Sequence, residues 1–184
     1  MRKSLLSFLL KSLTTTAIIL WVGFAHAQQL SAKQKDSLLN NVVTVPGTDI
    51  SIIPPAYFKP YVNDGKFGFI HEGAASSITI QEMKGTPFAL VTQGLTKEYF
   101  ESQGITFITK EDIKTKNNKD GTLFLVSFKV KTKDGKQDVE YERIMYFTGT
   151  YNRTIWVNAN YPKVARDVLF NVLKTSVLTI QYGE

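Results

Sequence analysis

Three stretches rich in β-branched and aromatic residues follow one another between Gly121 and Asn160. They have the sequences GTLFLVSFKV, VEYERIMYFT and RTIWVNAN, a composition typical of β-strands. The dipeptide Asp134-Gly135 lies between the first two and favours a two-residue type I′ hairpin turn. This part of the chain therefore predicts an antiparallel meander of three strands, against which the other elements must pack.

A two-residue turn also predicts which residues lie opposite one another in the first hairpin, and opposite residues share a face of the sheet. One predicted face is charged near the turn and apolar further in, whereas the other is apolar almost throughout. The first face pairs Lys133 with Lys136, Lys131 with Asp138, Lys129 with Glu140, Ser127 with Glu142, Leu125 with Ile144 and Leu123 with Tyr146. The second face carries Phe124, Val126, Phe128 and Val130 against Val139, Tyr141, Arg143, Met145 and Phe147.

A sheet that is covered on one side only alternates between apolar and polar residues. Because both faces of this hairpin are apolar over part of their length, other elements must cover both, and the sheet is expected to be the middle layer of the molecule. The sequence therefore predicts an α+β fold, a three-layer α/β/α sandwich around a mostly antiparallel sheet.

The N-terminus has the organisation of a signal peptide. Arg2 and Lys3 form a basic start, residues 17–24 are apolar, and Ala25-His26-Ala27 has the small-x-small pattern of a cleavage site. An uncleaved membrane anchor is the alternative, but Lys11 leaves the apolar segment shorter than the about 20 residues that span a bilayer. We therefore expect cleavage after Ala27.

Behind this segment we expect a flexible leader at residues 28–41 and a single domain at 42–184, with no later segment long and apolar enough to cross a membrane. The segment 1–27 holds three of the 22 Lys and Arg residues and none of the 16 Asp and Glu residues, so its removal lowers the formal charge from +6 to +3. The lysines alternate with acidic residues, which favours a solvated surface over a nucleic-acid site.

The chain contains no cysteine, which excludes disulfides, thiol nucleophiles, thiolate metal sites and the lipidated cysteine of a lipoprotein. A signal peptide without that cysteine predicts a periplasmic or secreted protein, most simply of a Gram-negative bacterium.

Shorter strands are predicted ahead of the meander, at 42–45 and 49–53 with a break at Pro46-Gly47, then at 66–71, 76–83 and 105–116. Residues 56–61 lie between prolines and are expected to form no regular strand or helix. Pro87 predicts a helix from 87 to about 103, with Thr86 as its N-cap.

Pro162 predicts a second helix that runs to about Ser176, with an apolar stripe at Val164, Val168, Leu169, Val172 and Leu173. The tail Val177 to Tyr182 is apolar enough to pack against the sheet, and an edge strand is one form that it could take.

The order of these elements, with the prolines and glycines at their ends, resembles the pattern of the PsbP/DcrB-like superfamily. The features that carry the resemblance are DISIIPPAYF, the helix that begins with proline and ends at glycine, the meander, and the last helix closing with KTSVLTI. The resemblance covers Thr44 to Ile180 and implies an α/β/α sandwich with a binding or accessory role, as in an extrinsic photosystem subunit, envelope lipoproteins and a small-GTPase-binding import factor. This chain departs from it in lacking the lipoprotein cysteine and in carrying Tyr57-Phe58 where many relatives have tryptophan.

Catalytic patterns are scarce in this sequence. His71 is the only histidine after residue 27, which argues against a Ser-His-Asp triad and against multi-histidine metal sites, and His71-Glu72 would point to opposite faces of a strand. Glu140 and Glu142 share a face about 7 Å apart, a spacing that would suit an inverting glycosidase, although an electrostatic pair with Lys129 explains Glu140 without a function. We expect no catalytic residue, metal or cofactor.

Four residues are candidates for binding. Arg143 lies on the predicted apolar face, where it either extends to the sheet margin or anchors an anion. Tyr57, Phe58 and Tyr61 either pack into the core or form an aromatic patch for a partner.

These features together predict a non-enzymatic binding or accessory module of the bacterial envelope whose partner is another envelope protein or a small ligand. The alternatives are a carboxylate-dependent hydrolase and a structural envelope subunit.

Overall fold

The computed structural model describes residues 39–63, 65–115, 118–132 and 137–183. The predicted signal peptide, most of the predicted leader and the Asp134-Gly135 turn lie outside the described residues. The strands are β1 (Val43–Thr44), β2 (Ser51–Ile52), β3 (Lys59–Asn63), β4 (Lys66–His71), β5 (Ser76–Lys84), β6 (Thr106–Lys114), β7 (Asp120–Lys131), β8 (Asp138–Thr150) and β9 (Arg153–Pro162). The helices are α1 (Phe88–Gly94), α2 (Lys97–Ser102) and α3 (Arg166–Val177).

Strands β3 to β9 form one seven-stranded antiparallel sheet in the order β3-β4-β5-β9-β8-β7-β6, and β1 and β2 form a separate antiparallel pair. The predicted α+β sandwich with a mostly antiparallel sheet is thereby confirmed. The predicted register of the central hairpin is confirmed as well, since Lys129 lies opposite Glu140, Leu125 opposite Ile144 and Val126 opposite Arg143.

One face of the sheet is covered by α3, the β1–β2 pair and the chain that follows α3. Leu123, Leu125, Ile144 and Tyr146 of the hairpin belong to this core. The covering elements supply Ile50, Ile52, Leu169, Leu173, Val177 and Ile180 to the same core. Gly121 is buried against the Tyr146 ring, where a Cβ atom would collide with the phenol, so this position admits only glycine.

The opposite face is covered in part by α1 and α2 through a cluster of aromatic rings. Phe124 of β7 contacts Phe147 of β8 edge to face at 5.9 Å, and Phe147 stacks on Trp156 of β9 at 5.5 Å. Phe100 of α2 lies 5.7 Å from Phe124 and belongs to this second core. Both faces of the hairpin are thus buried, as its two apolar faces predicted.

The helix predicted from Pro87 to residue 103 is in fact two short helices, so that prediction is wrong. The chain leaves the helical conformation at Leu95 and restarts at Lys97, where the Thr96 side chain accepts a hydrogen bond from the Tyr99 amide and caps α2. Gly94 at the end of α1 lowers the helical propensity there, and Thr96 satisfies an amide that an interrupted helix would leave free.

Residues 59–61 form a regular strand, against the expectation that prolines exclude one. Pro60 is tolerated because β3 lies at the edge of the sheet and pairs with β4 alone, so the missing amide breaks no second ladder. The described chain also makes hydrogen bonds ahead of the predicted boundary at Val42, since the Asn40 amide donates to the Pro54 carbonyl at 2.7 Å.

The last helix begins later than Pro162 predicted. Pro162 is the final residue of β9, a 3₁₀ turn follows at Lys163–Ala165, and α3 starts at Arg166. This phase leaves Val164 96% and Val168 68% exposed, so the predicted stripe is only partly correct. The tail after α3 makes an isolated bridge from Gln181 to Ser51 and no regular strand.

Leu173→Ala should lower the free energy of unfolding by about 2–5 kcal/mol, because the fully buried side chain would leave a cavity beneath α3. Chemical denaturation followed by circular dichroism measures the loss. Val168→Ala on the exposed side of the same helix is the matched control and should change stability by less than about 0.5 kcal/mol. Equal losses for the two variants would contradict the observed phase of α3.

Candidate functional site

The face of the sheet that carries α1 and α2 is covered unevenly. These helices pack against β6, β8 and β9, at one side of the sheet. On β5, and along the other part of β8 and β9, the same face carries half-buried polar side chains in place of an apolar cluster. We name this surface the open sheet face and define it by Ser77, Thr79 and Gln81 of β5, Asn158 and Asn160 of β9, and Arg143 of β8.

Arg143 lies at one end of the open sheet face and is held by two neighbours. Its Nε donates a 2.6 Å hydrogen bond to Asn160 Oδ1, and Asn160 Nδ2 donates to Ser77 Oγ at 3.3 Å. The guanidinium carbon lies 4.7 Å from the centre of the Phe128 ring, which stacks on Tyr141. Strand pairing explains the geometry, because Arg143, Asn160 and Ser77 are directly opposite one another on three adjacent strands.

The guanidinium of Arg143 has no acidic partner among the residues that the structure describes. Burial disfavours the charged form and lowers the pKa of Arg143. An arginine nevertheless stays protonated in proteins. The side chain is therefore a partly desolvated cation that a hydrogen-bonded amide and an aromatic ring orient, but that no carboxylate neutralises.

The carboxylates of five of the seven strands lie on only one face of the sheet. On the side of α1 and α2, strands β3, β4, β5, β8 and β9 place Lys59, Lys66 and Arg143 and no carboxylate. The carboxylates of these strands, Glu82, Asp138, Glu140 and Glu142, occur at positions of the opposite face. The open sheet face therefore presents positive charge and uncharged hydrogen-bonding groups.

The three aromatic residues predicted as one group have different environments. Phe58 is 4% exposed in the core beneath α3, with its ring 5.7 Å from that of His71, whereas Tyr57 is 74% exposed. Tyr61 lies on β3 over Gly68, where its Cε1 is 3.0 Å from the position that a Cβ would take. Tyr61 shares a face with Arg143, but four strand spacings separate them, about 19 Å.

Glu140 and Glu142 share a face as predicted, but they differ in access to solvent. The Glu142 side chain is 1% exposed and accepts hydrogen bonds from Tyr161 Oη at 2.6 Å and Arg166 Nη1 at 2.5 Å. Burial, with the Glu142 carboxylate beside the phenol, raises the pKa of Tyr161. Glu140 instead pairs with Lys163 at 2.9 Å, a bond that lowers the pKa of Glu140. The buried carboxylate fastens the start of α3 and is closed to a substrate in this arrangement.

His71 has a local structural contact. Its Nδ1 accepts a 3.1 Å hydrogen bond from the Ala74 amide and so caps the 3₁₀ turn at Glu72–Ala74. In the described parts of the chain, no three His, Cys, Asp or Glu side chains are grouped closely enough to hold a metal ion.

A broad cleft of about 1070 Å³ lies where the β1–β2 turn, the end of β5 and the β8–β9 turn meet. Arg153 forms part of its wall and links the three elements. It binds both carboxylate oxygens of Asp49, makes an ion pair with Glu82 Oε1 at 2.7 Å and lies 5.7 Å from the Tyr182 ring. Both carboxylates of the cleft are thus engaged by Arg153. The cluster joins the β1–β2 turn and the tail after α3 to the sheet.

The ion pair between Arg153 and Asp49 should make the free energy of unfolding depend on pH in the acid range. The Arg153 hydrogen bonds lower the pKa of Asp49 to about 2. A carboxyl group with a depressed pKa stabilises the fold above its unfolded pKa of about 3.9, and this contribution is lost as the pH falls towards 2. Asp49→Asn should therefore cost up to about 1 kcal/mol at pH 7, since Asp49 is half exposed, and only a small part of that at pH 2, where the carboxyl group of the folded protein is about half protonated.

Denaturant unfolding of both proteins between pH 7 and pH 2 measures this difference. The effect of Asp49→Asn should disappear in an Arg153→Gln background, where the partner is absent. A pH-independent effect, or one that survives the second substitution, would show that the ion pair is not its source.

Of the described residues 39–183, none belongs to a helix with both the length and the apolarity that crossing a bilayer requires.

No protein-family model matches the sequence, and no curated protein matches it. The structure is similar to the solution structure of cyanobacterial PsbP from Synechocystis sp. PCC 6803, with 10% identity, a TM-score of 0.56, and coverage of 78% of this chain and 92% of that one.

It is also similar to a crystal structure of a protein from Bacteroides thetaiotaomicron VPI-5482, with 15% identity, a TM-score of 0.52 and coverage of 79% of this chain. The chain spans about half, 49%, of that protein. These likenesses concern the fold alone, and they confirm that the chain has a PsbP-like fold, as the resemblance in sequence implied.

Sequence reasoning found Arg143 because the hairpin register placed a charge on an apolar face. It missed Asn160, Ser77 and the other polar residues of the open sheet face, since a polar residue in a strand is ordinary until its neighbours across the sheet are known. The pairing of β5 with β9 spans about 80 residues of sequence and leaves no local signal.

Proposed function

We propose that this chain is an exported, non-enzymatic binding or accessory module of the bacterial envelope, and that the open sheet face is its binding surface. The observation that carries the proposal is Arg143, a half-buried cation that is oriented by Asn160 and Phe128 and that has no carboxylate partner among the described residues. A partly desolvated charge without an acidic partner costs stability, so a ligand that neutralises it explains this arginine better than a contribution to stability does.

The surface around Arg143 favours binding over structure. Side chains of Ser, Thr, Asn and Gln supply both donors and acceptors at fixed positions on a rigid sheet, which is how binding sites position a ligand. An apolar docking patch would show large exposed hydrophobic side chains, whereas this face is polar and compatible with exposure to water between binding events.

The remaining groups that sequence reasoning considered for chemistry have structural contacts. Glu142 is tied to Tyr161 and Arg166, Glu140 to Lys163, and His71 to the Ala74 amide. These contacts support a binding role in preference to a hydrolase that uses the two glutamates. The export pattern of residues 1–27 and the resemblance to binding and accessory proteins support the envelope location.

Face-selective cross-linking tests the proposal, and the absence of cysteine from the chain makes single-site labelling direct. Thr79→Cys on the open sheet face and Asn171→Cys on the exposed side of α3 would each carry a benzophenone label. Illumination in an envelope extract of the producing organism should give adducts from the Thr79→Cys protein that unlabelled wild-type protein competes away, and none from the Asn171→Cys protein.

Arg143→Gln in the Thr79→Cys protein should reduce the adducts at least fivefold, while thermal unfolding confirms that the domain is folded. The same adducts from both labelled positions, or an undiminished yield in the Arg143→Gln protein, would contradict the proposal.

A further inference from the structure

The free donors of Arg143 have a defined direction. Its Nε is engaged by Asn160, and the terminal nitrogens Nη1 and Nη2 have no acceptor among the described residues. Phe128 lies over one flat side of the guanidinium at 4.7 Å, and the two terminal nitrogens form the edge of the group on the side away from the carbon chain. Two parallel N–H groups on the edge of a guanidinium match the two oxygens of a carboxylate.

A line of uncharged polar groups extends away from Arg143 along two adjacent strands. Asn160 and Asn158 lie on β9, and Ser77, Thr79 and Gln81 lie beside them on β5. Alternate residues of a strand are about 6.8 Å apart, so this line is about 14 Å long from Ser77 to Gln81. We name these five residues the polar ridge.

Two polar atoms on this face have no partner. Asn158 Oδ1 is a buried acceptor and Trp156 Nε1 a buried donor, and neither makes a hydrogen bond. The two residues are separated by one position on β9, which places them one two-residue repeat apart. An extended peptide presents a donor and an acceptor to one side with the same repeat, and a ligand that satisfies such atoms removes the cost of leaving them unpaired.

The charges favour a single carboxylate over a polyanion. Arg143 is the only charged residue among the six that define the open sheet face. The other cations of the same side lie on β3, β4 and β6, outside the polar ridge; they are Lys59, Lys66, Lys110 and Lys114. A nucleic acid or a multiply phosphorylated ligand needs several cations along its path. A ligand with one terminal carboxylate and an uncharged hydrogen-bonding body fits one cation beside an uncharged ridge.

We propose that the open sheet face binds the carboxyl-terminal end of an extended peptide, with the terminal carboxylate on Nη1 and Nη2 of Arg143 and about four residues along the polar ridge. This inference rests on the proposed function, because it names the ligand of the same surface. Recognition of this kind is directed at the carboxylate and the peptide groups, so it is broad in sequence.

Nuclear magnetic resonance titration of the ¹⁵N-labelled protein tests this directly. The probes are acetyl-tetra-alanine with a free carboxyl terminus, the same peptide as its C-terminal amide, and inorganic phosphate. The free acid should shift the side-chain signals of Arg143, Asn158, Asn160 and Trp156 in a saturable way, and the amide should bind at least tenfold more weakly. Equal binding of acid and amide, or displacement of the peptide by phosphate, would overturn the inference.

Three variants distinguish specific binding of the carboxylate at Arg143 from non-specific electrostatic attraction of the peptide to this face. Arg143→Lys keeps the charge but loses the two-pronged donor, and it should weaken binding about tenfold. Asn160→Asp keeps the size of the side chain and supplies Arg143 with an internal carboxylate, so it should weaken binding at least tenfold in a folded protein. Lys66→Gln removes a cation of the same face outside the ridge and should change the affinity less than twofold. Wild-type affinity in Asn160→Asp would overturn the inference even if Arg143 variants fold poorly.

The two proposals fail in distinguishable ways. If cross-linking through Thr79→Cys is face-selective but the free-acid peptide does not bind, the peptide inference is wrong and the binding surface stands. If cross-linking is not face-selective and the peptide does not bind, both are wrong.

Discussion

The structure depends on a hairpin that is apolar on both faces. Strands β7 and β8 bury Leu123, Leu125 and Ile144 on one side and Phe124 and Met145 on the other. Such a hairpin has no stable arrangement at a surface, because either exposed face would leave large side chains in water. Two further layers are therefore required, and α3 supplies one while α1 and α2 supply the other.

The two covering layers differ in extent, and the open sheet face is a consequence of that difference. The layer of α3, the β1–β2 pair and the tail covers the side chains of most strands, from Phe69 on β4 to Leu123 on β7. The layer of α1 and α2 consists of two short helices that pack at one side of the sheet. Beyond their reach the same sheet face changes from aromatic to polar residues, which is the open sheet face.

Neighbouring residues of β8 show how strongly position within the sheet determines what a charge does. Glu142 points into the layer of α3, where Tyr161 and Arg166 satisfy its carboxylate completely enough for burial. Arg143, the next residue, points to the other side, where an amide and an aromatic ring orient it and leave its terminal nitrogens free. The buried Glu142 carboxylate thereby has charged and hydroxyl partners, whereas the half-buried Arg143 has a hydrogen bond from its Nε alone among the described residues.

The sequence by itself determined the layers, the hairpin register and the unusual position of Arg143, because a two-residue turn and a period of two are local properties of the chain. Residues 59–61 and 87–103 were mispredicted, since an edge position tolerates Pro60 and a cap at Thr96 restarts a helix. Only the tertiary structure decided which charges find partners. The pairing of β5 with β9, and of Glu142 with Arg166, joins residues distant in sequence, and whether a side chain is satisfied or free depends on those neighbours.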